Sequence, residues 1–168
     1  MTPRVCVLAA VTTVAVAACS EPAPSKGTYT IAFPSTAAAV ATDFVQILVF
    51  DVSGDKGSLC QDLITQRATA PGDLTPSINP PERPVNICAM LMGRLPVNLP
   101  YGEHALVAIA QRKDAQSNLK DFMIGCAIMT IGDGDAPIPI PVRLVNVSTP
   151  VPATKCGSVG EFCLEKCL

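Results

Sequence analysis

The side chains able to do chemistry are few in this chain, and their spacing excludes more than it offers. His104 is the only histidine in 168 residues. As a general base it would need a serine nucleophile and an aspartate to orient it. There is no G-x-S-x-G turn, and no serine is marked out by its context. The plainer reading is a histidine set in a turn and partly packed against a sheet. Asp51, Ser53 and Asp55 alternate as the oxygen ligands of a calcium loop do, and Asp62 falls at the twelfth position of that loop. Lys56 stands where such a loop needs glycine, and a strand rather than a helix leads into it. These four residues are the calcium candidates, set against a simple polar turn. Gly132-Asp133-Gly134-Asp135 is a second acidic turn. No phosphate-binding loop, nucleotide fingerprint or C-x-x-C thiol pair occurs, so the sequence implies no cofactor. A single histidine without paired cysteines also argues against zinc.

The N-terminus carries the most specific signal. Arg4 is the only charge before Glu21, and residues 5–18 form a run of fourteen small or apolar residues. A spanning helix needs roughly twenty such residues. A basic start, a short apolar stretch and small residues at a cleavage point have the layout of a secretory signal. Val16-Ala17-Ala18-Cys19 resembles the lipobox of bacterial lipoproteins. The resemblance implies removal of residues 1–18, a diacylglycerol on the Cys19 thiol and an acylated new amine. Each buried methylene contributes about 0.8 kcal/mol, and two or more chains hold a protein stably. Ser20 in place of aspartate implies passage to the outer membrane of a Gram-negative envelope. Residues 20–27 have no core-forming pattern and read as a tether reaching roughly 25 Å if extended. The expected organisation is a signal over 1–18, a lipidated cysteine and tether over 19–27, and one domain over 28–168.

That reading sorts the eight cysteines. Cys6 leaves with the signal and Cys19 takes lipid. Cys60, Cys88, Cys126, Cys156, Cys163 and Cys167 remain, an even set in an exported domain, which points to three disulfides. The spacing leaves the pairing open. A Cys60–Cys88 bond would close the proline-rich excursion between them. Ser158 and Glu161 have capping-box spacing, so a short helix from about 159 to 167 is expected. It would set Cys163 and Cys167 on one face, where they would not bond each other. One of them is expected to reach Cys126.

The elements that must position these residues are mostly strands. Tyr29, Ile31 and Phe33 alternate with smaller residues in a first strand. Phe44 to Phe50 reads as a strand buried on both faces. Ala105 to Ala110 and Phe122 to Ile131 are two more, joined by a polar hairpin loop. From Ala136 to Val147, Ile138, Ile140, Val142 and Leu144 alternate with Pro137, Pro139 and Pro141. Prolines two apart remove successive N–H donors along one side, so this must be an edge strand. Residues 59–67 have helical spacing, and 70–84 should be an exposed loop. The expected fold is all-β: an antiparallel β-sandwich of about six to seven strands with one or two short helices, stapled by disulfides.

Leu99-Pro100-Tyr101-Gly102-Glu103-His104, leading into the strand at Ala105, resembles the turn and strand of transthyretin-like and carboxypeptidase-regulatory-like sandwich domains. The family's aromatic position is His104 here. The resemblance implies a secreted or surface module without catalytic function. Without Arg4 the chain holds eleven Lys and Arg against fourteen Asp and Glu, a formal charge of −3. The bases form no stripe, which argues against nucleic acid. The expected function is a non-enzymatic structural or interaction module of the envelope, its partners being the membrane and an envelope protein. The alternatives are a lipid-anchored hydrolase using His104, Asp51 or Asp55, and a carrier of a small apolar ligand.

Overall fold

The computed structural model describes residues 29–70, 74–77, 83–94, 99, 101–132 and 137–167. The expected signal, Cys19 and its tether, and Asp133 to Asp135 lie outside these residues, as does much of the 70–84 loop. Eleven elements follow in order: β1 (Tyr29–Ala32), α1 (Thr36–Val40), β2 (Phe44–Asp51), α2 (Lys56–Thr69), β3 (Val85–Asn86), α3 (Ile87–Leu91), β4 (Gly102–Lys113), β5 (Leu119–Ile131), β6 (Ile138–Pro141), β7 (Arg143–Leu144) and α4 (Val159–Cys163).

Five strands form an antiparallel sheet in the order β3-β2-β4-β5-β7. Its three long strands carry apolar residues on both faces, as the unbroken apolar runs require. Val45, Ile47 and Val49 of β2 join Leu106, Ala108 and Ala110 of β4 in one cluster. Leu48 and Phe50 join Ala105, Val107 and Ile109 in another. Residues 105–109 are fully buried, because this strand lies at the centre of the sheet. Asp114 closes the β4–β5 hairpin by accepting the N–H groups of Gln116 (3.0 Å) and Asn118 (2.8 Å). Those bonds, the Asn118 backbone N–H foremost, hold its carboxyl below the ordinary value.

Each face of the sheet has its own cover. On one side α2 contributes Leu59, Leu63 and Ile64 to the second cluster. This is a 14-residue helix, longer than the short one expected near 59–67. Asp55 starts it by accepting the Gly57 N–H at 2.9 Å. Its apolar stripe is narrow, so periodicity understates its length. On the other side Tyr29 of β1 and Ile140 of β6 enter the first cluster, with Ala38 of α1 and Ile87 of α3. β6 crosses over β5 at Gly125. A Cβ on that glycine would lie 1.9 Å from the Pro141 carbonyl oxygen, so a side chain there is sterically excluded.

β1 and β6 form a separate two-stranded sheet, and they run parallel, Ile31 opposite Ile140. This corrects the expectation of purely antiparallel pairing. The chain reaches β6 only after building the whole of β2 to β5, so no hairpin sets its direction. The edge character of β6 holds: it pairs with β1 alone among the described strands. The Val142 N–H continues the ladder to the Ala32 carbonyl at 3.0 Å, in the same register as Ile138 and Ile140. Pro139 and Pro141 therefore face away from β1 and leave the other side without donors. Four helices, rather than one or two, complete the described chain.

Three disulfides fasten these layers: Cys60–Cys126, Cys88–Cys163 and Cys156–Cys167. The expected Cys60–Cys88 bond is corrected. Cys126 packs in the cluster beneath α2, whereas Cys88 packs against the cluster on the opposite face. The sheet stands between Cys60 and Cys88, so each bonds on its own side. Cys163 and Cys167 do take different partners, but neither is Cys126. Ser158 caps α4 as its spacing predicts, its hydroxyl accepting the Glu161 N–H at 3.1 Å, while the Glu161 carboxylate reaches one residue beyond the cap and accepts the Gly157 N–H at 2.7 Å. α4 ends at Cys163, short of the expected 167, which frees Cys167 to turn back to Cys156.

Candidate functional site

The sheet end where β2 leaves and β4 enters gathers several of the residues singled out by the sequence. His104 sits opposite Asp51 in the β2–β4 register. It is 8% exposed, and its Nδ1 lies 3.6 Å from Asp51 Oδ1. Its Nε2 lies 3.2 Å from the Tyr101 carbonyl oxygen, a bond that requires the proton on Nε2. In a serine-type triad that nitrogen must be free to take a hydroxyl proton. Here it is committed to backbone. Ser77, the serine tied to this end, accepts the Asp51 N–H at 2.6 Å through its own Oγ. Lys56 and Glu103 pair across the mouth of the same end, in solvent, where such a pair contributes little.

The calcium candidates do not converge. Asp55 caps α2, Asp51 faces His104, and Asp62 lies two helical turns into α2. Among the described residues, no three of His, Cys, Asp and Glu form a group that could hold a metal ion. The six cysteines of the domain are all spent in disulfides and supply no thiol nucleophile or ligand.

Two features escape a reading of the sequence. The first is a polar cluster around Asp121. The β4–β5 ladder shifts between Ala110 and Gln111, setting Met123 opposite Ala110 and Asp121 opposite Gln111. The extra residue, Phe122, turns with Met123 into the first cluster. Asp121 is thereby sent to the α2 side. There it accepts two bonds from Arg67, Nε at 2.7 Å and a terminal nitrogen at 3.0 Å, and one from Gln111 Nε2 at 3.0 Å. Burial alone would raise its pKa, but the bonds from Arg67 and Gln111 outweigh it and hold the carboxyl below its ordinary value. Arg67 and Asp121 also line a cavity of about 250 Å³ between α2 and β7, beside Arg143. Nothing in the spacing of residues 67, 111 and 121 reveals this meeting, because a one-residue bulge creates it.

The second is an apolar cavity of about 370 Å³ between β1 and the α3–α4 corner. Tyr29, Ile31 and Phe33 form one wall, and Ile87, Met90, Leu91 and Val159 the other. The Cys88–Cys163 bond ties α3 to α4 beside it. Its lining contains no carboxylate, amine or imidazole, only the hydroxyl groups of Tyr29 and Thr30 among apolar side chains, so it suits apolar matter.

No protein-family model matches the chain, and neither a curated protein nor a solved structure is significantly similar to it.

Proposed function

We propose that this protein is a lipid-anchored module of the bacterial cell envelope that works by binding rather than by catalysis. The carrying observation is the division of labour among its cysteines. Cys19 stands alone behind an apolar run in a lipobox setting, and the six cysteines of the domain pair among themselves. Three intramolecular bonds suit an oxidising compartment such as the periplasm, which supports export. In this reading residues 1–18 are removed, Cys19 is acylated and Ser20 directs the protein to the outer membrane. β1 and β6 act as the second layer of a reduced sandwich over the main sheet. The likeness of Leu99 to His104 to the turn of transthyretin-like modules fits a buried His104 in an aromatic position. Its committed Nε2 favours a packing role over the hydrolase alternative.

The test is intact mass of protein extracted from membranes. The expected mass is that of residues 19–168 plus a diacylglycerol and an acyl chain. A chain retaining Met1, or a Cys19→Ala variant that still fractionates with membranes, overturns the reading.

A second reading rests on the apolar cavity beside β1, whose 370 Å³ falls in the size range of small-molecule pockets. A carrier would hold a small apolar ligand there. Native mass spectrometry of the purified protein tests this directly. A bound mass released by Ile31→Trp supports it, and an unliganded mass under gentle conditions removes it.

A further inference from the structure

We infer that the α3–α4 corner rests on the bilayer surface, with Leu91, Met92 and Leu164 dipping into it, so that the anchored domain has one fixed orientation. The inference rests on the lipid-anchor reading above. Leu91 is 51% exposed, Met92 82% and Leu164 65%. The disulfide brings these positions to one corner: Met92 is one turn beyond Cys88, Leu164 directly follows Cys163, and those two cysteines are bonded with Cα atoms 5.4 Å apart. The disulfide makes the corner a rigid apolar lip, continuous through Leu91 with the cavity whose far wall is β1.

The start of β1 identifies what covers it. Tyr29 lies in that wall, and only residues 20–28 separate it from Cys19. Ten Cα steps span at most about 35 Å. Acyl chains on Cys19 therefore hold the bilayer within reach of this wall, at a local concentration no soluble partner matches. The other exposed large apolar side chains among the described residues do not join the lip: Tyr101 precedes β4, Leu119 opens β5, and Val145 and Val147 follow β7 at the far edge of the main sheet from β3 and α3. Arg94 and Lys166 near the lip are offset by Glu161 and Glu165. The contact must therefore be apolar and indifferent to headgroup charge, unlike a polybasic patch.

The chain contains no tryptophan, so one introduced residue reports alone. Lipidated mature protein carrying Met92→Trp, Leu164→Trp or Val147→Trp is reconstituted into phosphatidylethanolamine–phosphatidylglycerol vesicles, with and without bromine on the acyl chains. Interfacial depths of about 5–10 Å put an inserted side chain among the acyl carbons. The expected result is a blue shift and about twofold quenching by brominated lipid at positions 92 and 164, unchanged by high salt, with position 147 unaffected. Protein that floats with vesicles but shows no quenching at 92 and 164 overturns the docking and leaves the anchor intact. Failure to float removes the anchor and the docking with it. Equal quenching at 147 denies a fixed orientation, and salt-sensitive quenching denies the apolar basis. A blue shift without vesicles, in protein sedimenting as a dimer, assigns the lip to a second copy and refutes the inference.

Discussion

Removing the Cys60–Cys126 bond by a double alanine substitution is expected to destabilise the domain by about 4 kcal/mol. The bond joins residues 66 apart and pins α2 to the sheet. Closing a loop of that size takes about 15 cal/mol/K from the unfolded chain, or roughly 4.4 kcal/mol at 25 °C. The Cys88–Cys163 bond overlaps this loop. The route through it, from 60 to 88 and from 163 back to 126, is also about 65 residues, so it lowers the effect by only a few tenths of a kcal/mol. The Cys156–Cys167 bond spans 11 residues, and the same relation gives it roughly 2.8 kcal/mol. The two double variants should therefore differ by more than about 1 kcal/mol, the long loop being the more costly to open. Denaturant unfolding of each, followed by circular dichroism without reductant, measures the difference. Equal losses, or a greater loss from the short loop, would refute the reasoning. The connectivity is checked first by tryptic mapping without reduction. Peptide 57–67 should be joined to 121–143, and 68–94 should be joined to 156–166 and 167–168 in one three-chain species. Finding 57–67 joined to 68–94 would place Cys60 on Cys88 and remove the premise.

Two further substitutions probe the layers. Gly125→Ala drives a methyl group into the Pro141 carbonyl, and should cost about 3 kcal/mol or more in denaturant unfolding by forcing β6 off β5. A loss under about 0.5 kcal/mol would mean that the two strands do not touch there. Asp121→Asn removes the charge that accepts two bonds from Arg67, for a loss of about 2 kcal/mol at neutral pH. The folded carboxyl titrates below its ordinary value of 3.8. Its contribution is thus complete above that value and is lost as pH falls through the lower, folded one. The gap between wild type and variant should shrink only in acid below 3.8, as followed by unfolding titrations at stepped pH. A constant gap across that range would assign the effect to shape rather than charge.

How much was legible in the sequence depended on whether local pattern or long-range placement decided the feature. The long strands could be read directly, since short apolar runs such as Val45 to Phe50, with β-branched residues at 45, 47 and 49, suit strands buried on both faces. The proline register of β6 marked it as an edge, because a missing N–H cannot pair in any fold. The cap at Ser158 was equally local. The full extent of α2 was not, because only Leu59, Leu63 and Ile64 of its 14 residues reach the second cluster.

Residue types and spacing by themselves determined that the described chain would be strand-rich and that its cysteines would be bonded. The tertiary structure alone decided which cysteines met, since the sheet separates Cys60 from Cys88. It alone set β1 parallel to β6, turned Asp121 toward Arg67 through one extra residue, and opened the apolar cavity beside the α3–α4 corner. Each of these joins residues far apart along the chain. Their meeting depends on how layers stack and where a ladder slips, which the periodicity of a single segment does not encode.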